Sequence, residues 1–230
     1  YINDEQDGLW SYFSKDGSIA EEITFSGGKR DGRSTVWLTP EERQEEKFYK
    51  NGKLDGPSTF WENGYRSTMT TYKSDSPEGP WVIWFSNSDQ IKEQGFHQKG
   101  IREGLTTYYY EDGTMQREGF FKEGLPDGVW TYWNKKGEKD FDFDFGSGLQ
   151  HISLEDLVER ESTFYKLGED TPFTGIITQE NPEADYLFLG RTKGGKKDGQ
   201  WVKWFPSGKD VPEIILVEVP DPEPVLPWSG

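Results

Sequence analysis

The sequence has no cysteine, only two histidines and two methionines in 230 residues, and no long apolar run. Without thiols there are no disulfides, thiolate metal centres or cysteine nucleophiles, and either redox compartment is compatible. His97 and His151 lie more than fifty residues apart, so no histidine pair is spaced for zinc. No serine occupies a Gly-x-Ser-x-Gly elbow, and Gly27-Gly28-Lys29 and Gly194-Gly195-Lys196 lack phosphate-loop spacing. The longest greasy run is Ile214–Val217, far short of the ~20 apolar residues of a spanning helix, so direct membrane insertion is not expected. Cations are also scarce. Lys and Arg number 26 against 42 Asp and Glu, and the resulting charge of −16 repels phosphate backbones and anionic lipid, which argues against nucleic acid as a partner.

What the chain has instead is rings and glycine: 10 Trp, 11 Tyr, 15 Phe and 27 Gly, within a hydrophobic fraction of only 32%. Aromatic side chains must therefore supply most of the buried area. Gly8, Gly32, Gly56, Gly79, Gly104 and Gly128 recur at intervals of 23 to 25 residues. Each is followed five positions later by an aromatic residue: Phe13, Trp37, Trp61, Trp84, Tyr109 and Trp133. Such a period marks tandem supersecondary units that bury their apolar surface on their neighbours. Function is then expected on a long repeated surface rather than in a catalytic pocket, with no catalytic residue and no cofactor.

Positions two to five after each glycine read as strands rich in β-branched and aromatic residues, such as Ser34-Thr-Val-Trp37 and Trp81-Val-Ile-Trp84. Turn dipeptides follow at Asp16-Gly17, Asn63-Gly64, Asp112-Gly113 and Lys136-Gly137. Return strands are predicted over Ile19–Phe25, Gln44–Tyr49, Tyr65–Tyr72, Gln90–Phe96 and Met115–Phe121. Glycine-framed connections, for example Gly52-Lys-Leu-Asp-Gly56, join one hairpin to the next. Their recurring acidic residue is read as a turn former, and the period glycine as the mark of the turn itself.

Segments such as Tyr49-Lys-Asn-Gly-Lys-Leu-Asp-Gly-Pro-Ser-Thr-Phe-Trp61 and Phe121-Lys-Glu-Gly-Leu-Pro-Asp-Gly-Val-Trp-Thr-Tyr-Trp133 resemble MORN-repeat units. They are most similar to the bacterial variant of the YwqK type, where the second glycine of the MORN Gly-x-Gly pair gives way to Trp or a small residue. Here that position holds Trp10, Ser34, Ser58, Trp81, Thr106, Trp130 and Trp201. The resemblance covers most of residues 1–148 and returns at 195–208. It implies an all-β, elongated single-sheet solenoid of about eight hairpins that acts as a binding or scaffolding module. The same family sometimes carries an antitoxin label, which would make the partner a small toxin.

The period lapses after Gly128 and resumes in phase at Gly175 and Gly199, the latter followed by Trp204. The predicted organisation is a first repeat block over 1–148, a connector over 149–172, a second block of two hairpins over 173–217, and a proline-rich acidic arm over 218–230. In the connector, Ser153 as a cap, Asp156 at the capping-box position and an Ile152–Leu157 staple predict a short helix over 154–160.

Three sets of residues are candidates for function. Asp140, Asp142 and Asp144 alternate with Phe141, Phe143 and Phe145 and offer carboxylates to calcium, although same-face strand residues lie ~7 Å apart. The +5 rings are assigned to a packed spine. The +2 tryptophans, Trp10, Trp81, Trp130 and Trp201, together with Trp228 on the arm, are expected to be exposed and to contact a protein, or alternatively a glycan. The expected setting is a bacterial accessory subunit outside the cytoplasm, with the cytoplasm as the alternative. Since the chain opens at Tyr1, a signal peptide or lipid anchor ahead of it is compatible with the sequence.

Overall fold

The segments rich in β-branched and aromatic residues form strands, and the predicted return strands are present within one or two residues at each end. A computed structural model describes residues 4–181 and 186–204. In chain order the first hairpins pair β1 (Gly8–Phe13) with β2 (Ile19–Ser26), β3 (Lys29–Trp37) with β4 (Arg43–Lys50), and β5 (Lys53–Glu62) with β6 (Tyr65–Lys73). The next three are β7 (Ser76–Trp84) with β8 (Ile91–Gln98), β10 (Gly104–Tyr109) with β11 (Met115–Lys122), and β12 (Leu125–Trp133) with β13 (Lys139–Asp144); a short β9 (Ile101–Arg102) precedes β10. These thirteen strands form one sheet in which each strand pairs with the next in sequence, except that β8 pairs with both β9 and β10, the local pairing expected of a hairpin array. The chain divides into two compact units, Tyr1–Phe143 and Asp144–Gly230, and this sheet belongs to the first.

The turns between hairpins are two-residue loops with positive φ at both positions, at Gly27-Gly28, Asn51-Gly52, Ser74-Asp75, Lys99-Gly100 and Glu123-Gly124. This is the geometry that matches strand twist. The period glycines do not sit in these turns, contrary to expectation. Gly32 and Gly56 lie inside β3 and β5, with φ of 113° and 125°, where the register with the preceding strand shifts. They are bulge residues: a Cβ on Gly56 would lie 2.9 Å from the Cβ of Phe48. A second bulge falls between positions +4 and +5 of each of the first five hairpins, as at Val36/Trp37 and Ile83/Trp84.

The recurring acid does more than form a turn. Asp31 Oδ2 accepts the backbone N–H of Asn51 at 2.9 Å, Glu78 Oε2 that of Lys99 at 2.7 Å, and Glu103 Oε2 that of Glu123 at 2.8 Å. Asp7 and Asp55 do the same for Gly27 and Ser74. Each acid therefore satisfies the first left-handed residue of the following turn, some 20 residues on, and locks consecutive hairpins in register. Asp31→Ala is expected to cost about 1 kcal/mol in urea unfolding, with Asp31→Asn close to the parent because an acceptor oxygen is kept.

In the second unit β14 (His151–Ser153) pairs in parallel with β17 (Gly175–Asn181), which continues through β18 (Tyr186–Lys193) to β19 (Lys196–Trp204). The phase of the period is kept here as well. Thr174 occupies the position of the recurring acid, and its Oγ1 accepts the N–H of Gly194 at 2.8 Å. The expected helix over 154–160 is a single 3-10 turn, Leu154–Asp156, with Ser153 Oγ accepting the N–H of Glu155. It stops there because β15 (Leu157–Arg160) pairs with β16 (Thr163–Lys166). The staple residues Ile152 and Leu157 instead pack on the core of Phe164, Phe173 and Ile177.

Candidate interaction surface

On one face of the first sheet, the inner face, the +2 positions from hairpin two onward are buried, as are Tyr108 and Tyr132 at +4, whereas Tyr12 and Phe60 at +4 are each 40% exposed. Trp81 is 2% and Trp130 0% exposed, which overturns the expectation that the +2 tryptophans decorate the surface. The reason is a glycine on the neighbouring strand. Trp81 pairs with Gly95, and Trp130 lies across Gly119, whose hypothetical Cβ would be 2.2 Å from the indole. Trp201 pairs with Gly190 in the second unit and lies against Phe164 at 6.4 Å, half-buried. Trp10 has Ile23 opposite rather than glycine; it is half-buried, donates to the carbonyl of Asp7 at 3.3 Å, and meets Phe25 edge-on. Trp228 lies outside the described residues. The signal that predicts these slots is a glycine in the interior of a return strand, which costs a strand stability unless something needs the space.

The +5 rings form a graded row rather than a uniform spine. Trp84 is buried, Trp37, Trp61, Tyr109 and Trp133 are half-buried, and Phe13 is 64% exposed on the edge strand. Arginines lie over several of them: Arg43 at 5.4 Å from Trp37 and 5.9 Å from Trp61, and Arg66 at 4.8 Å from Trp84. Guanidinium groups thus take up ring surface that a sugar would need, which weighs against the glycan alternative.

Beside Trp81 and Trp130 the inner face buries charge. Glu93 and Arg117 are 3% and 2% exposed, among Tyr108 and Tyr132. The Arg117 guanidinium sits 3.9 Å from the centre of the Tyr108 ring; Arg102 donates to Tyr108 Oη at 3.0 Å and stands 3.5 Å from Glu93. Burial pushes the Glu93 carboxyl up against the opposing pull of Arg102, Arg117 and Lys92, and pushes the Tyr132 hydroxyl up to about 12. His97, packed on Trp81 at 5.6 Å, is held below its ordinary value by burial and then by Arg102. The sequence gives no hint of this network, because its members come from three hairpins.

The three aspartates of β13 do not converge on an ion. Asp142 is held by Lys139 at 2.6 Å and Thr131 at 2.9 Å, and Asp144 by Arg191 at 3.4 Å, whereas Asp140 is exposed. Among the described residues no group of three or more potential ligands is placed to hold a metal. The calcium reading therefore falls: alternation along a strand sends each carboxylate to a different partner.

The opposite, outer face carries two rows that cross the strands. One is mostly polar, with Thr35, Thr59, Thr107 and Thr131 alternating with Glu22, Glu46, Gln94 and Glu118, and is interrupted by Met69 and Val82 between Thr59 and Gln94. The other is apolar over hairpins four to six. Pro80 pairs with Phe96 and Leu105 with Phe120, followed on β12 by Val129. Phe96, Leu105, Phe120 and Val129, on four adjacent strands, are 44%, 46%, 55% and 54% exposed. The same positions in hairpins two and three hold Arg33 with Phe48 and Pro57 with Thr71, so the apolar row is local.

No curated protein matches the chain. Two segments, residues 6–26 and 102–123, match the MORN repeat variant family, and each is the pairing just described: a glycine-led strand with its return strand. MORN repeats are a non-enzymatic repeat type that generally mediates protein or membrane interactions, and the first and fifth hairpins of this chain are similar to them over the matched residues.

Proposed function

We propose that the protein is a non-catalytic interaction module that holds a protein partner on the outer face of its first sheet. The observation that carries this reading is the row Phe96, Leu105, Phe120 and Val129, each about half exposed. An antiparallel sheet with one solvated face normally turns polar residues outward there, and in the second and third hairpins Arg33 and Thr71 take one place of each pair. Contiguous apolar surface of a few hundred Å² rimmed by polar groups marks a contact site. The charge of −16 favours a protein over an anionic bilayer. The recurring carboxylates each commit one oxygen to joining hairpins, and the wide inner rings fill the core, which leaves the outer row as the part of the array that its own folding does not require. We further propose a bacterial accessory subunit working outside the cytoplasm, on the strength of the resemblance to the bacterial repeat variant; cell fractionation checks that location.

The test is affinity capture from extracts of cells that make the protein, using the parent, Leu105→Ser and Phe120→Ser. Both substitutions fall on half-exposed side chains and are expected to change stability by less than about 1 kcal/mol, checked by denaturation. Binding of the partner is expected to fall tenfold or more, the loss typical of an interface hot spot. Recovery of the same partners by all three proteins would overturn the assignment of the face.

A further inference from the structure

The apolar row is bordered by acids that the fold holds at a fixed spacing. Glu78 and Glu103 precede Pro80 and Leu105 by two residues, and each carboxylate is anchored by a backbone N–H of the next turn, at 2.7 and 2.8 Å. Asp127 precedes Val129 in the same way. On the other border stands Glu118, which makes no ion pair among the described residues, beside the uncharged Gln94. One cation, Lys122, follows Phe120 by two residues.

The acids preceding successive glycine-led strands are two strand spacings apart, ~9.6 Å. A polyproline II helix advances ~9.3 Å per turn of three residues, so every third residue returns to the same side at nearly that interval. Such a helix has no internal hydrogen bonds to lose and is a common guest on aromatic-lined surfaces. Because its φ angles are preset by proline, it also pays little ordering entropy on binding.

Resting on the protein-binding reading above, we propose that the outer row of hairpins four to six receives a proline-rich, cationic segment of a partner protein, with Lys or Arg at every third position against the bordering carboxylates and apolar residues on Phe96, Leu105 and Phe120. The chain's own proline-rich stretch does not fit this description. Pro220–Trp228 carries Asp221 and Glu223 and no cation, so the rims repel it. Anionic lipid and nucleic acid are repelled for the same reason.

The test uses three synthetic peptides with blocked ends and the full chain in isothermal titration: Arg-Pro-Leu repeated three times and closed with Arg, the same peptide with Glu for Arg, and a permuted peptide with its arginines adjacent. The first is expected to bind, the Glu peptide not, and the permuted one at least fivefold more weakly. Leu105→Ser and Phe120→Ser should weaken the first peptide tenfold or more, and Glu118→Lys should weaken it and flatten its salt dependence. Equal binding of the first and permuted peptides, or binding unaffected by Leu105→Ser and Phe120→Ser, would show only diffuse charge attraction and overturn the proposal. If no peptide binds but the two serine variants still lose the captured partner, the protein-binding reading stands and the cationic, proline-rich chemistry is wrong.

Discussion

Gly119→Ala is expected to lower stability by about 3 kcal/mol, the upper range for forcing an extra carbon into a packed core. The backbone at Gly119 is not left-handed, so alanine suits its conformation and the whole effect is steric. The added methyl would lie 2.2 Å from Cγ and Cδ2 of Trp130. That indole has nowhere to go. It is fully buried, donates from Nε1 to the carbonyl of Phe120 at 3.1 Å, and is hemmed in by Phe121 at 5.2 Å and Tyr108 at 6.1 Å. Urea denaturation measures the loss, and the pair Gly119→Ala with Trp130→Leu separates clash from general damage. Trp130→Leu alone should cost about 3 kcal/mol through its cavity, and the double variant should cost clearly less than the sum. A loss below about 1 kcal/mol for Gly119→Ala would mean that the indole is free to shift, and the slot described here would be wrong.

Arg117→Met should be nearly as damaging, about 3 kcal/mol at neutral pH, because it takes the charge from a buried site while keeping the stem. Glu93 is then left with Arg102 and Lys92 as the cations acting on it, and Tyr108 loses the guanidinium over its ring. The sign of the pH dependence follows from burial. Since the folded carboxyl holds its proton more tightly than its ordinary value of 4.5, the folded state binds more protons than the unfolded state between that value and the raised one, and stability falls as pH rises through that window. Removing a cation that opposed the shift widens the window upward. The loss from Arg117→Met should therefore be smaller near pH ~5 than near ~8, and Glu93→Gln in the same background should recover much of it and remove the slope. Equal losses at both pH values, with no recovery, would place the cost in packing alone.

How much of this was legible depends on whether the determinant is local. The strands were readable because their residue types alternate with turn dipeptides, and the hairpin order followed from short connections. The glycine period was visible too, but its meaning was not. A glycine needed at a turn and one needed at a bulge look alike in a sequence, and Gly32 and Gly56 proved to be the second kind because their Cβ positions are taken by Thr24 and Phe48 on the preceding strand. The exposure of Trp81 and Trp130 was misjudged for a related reason. In a single sheet the alternation tells which residues share a face but not which face is covered, and the deciding partners, Gly95 and Gly119, lie on the neighbouring strands. The helix over 154–160 failed because good capping residues at Ser153 and Asp156 were followed by Leu157 and Val158, which found strand partners in Lys166 and Tyr165. Of the candidate surface, the individual residues were in plain sight; their assembly into one row required the register of four strands.

The hydrogen bond from each turn back to the acid of the preceding hairpin has a consequence for how such a chain can change in length. Donor and acceptor are separated by less than one unit, so duplicating a unit copies a complete joint, and deleting one closes the gap with an equivalent joint. Thr174 shows that the acceptor tolerates a change of chemistry provided that its place in the unit is kept. Growth and shrinkage by whole hairpins are thus nearly neutral for folding, whereas a residue gained or lost between acid and turn is not. The number of hairpins can then drift to suit the size of whatever is bound.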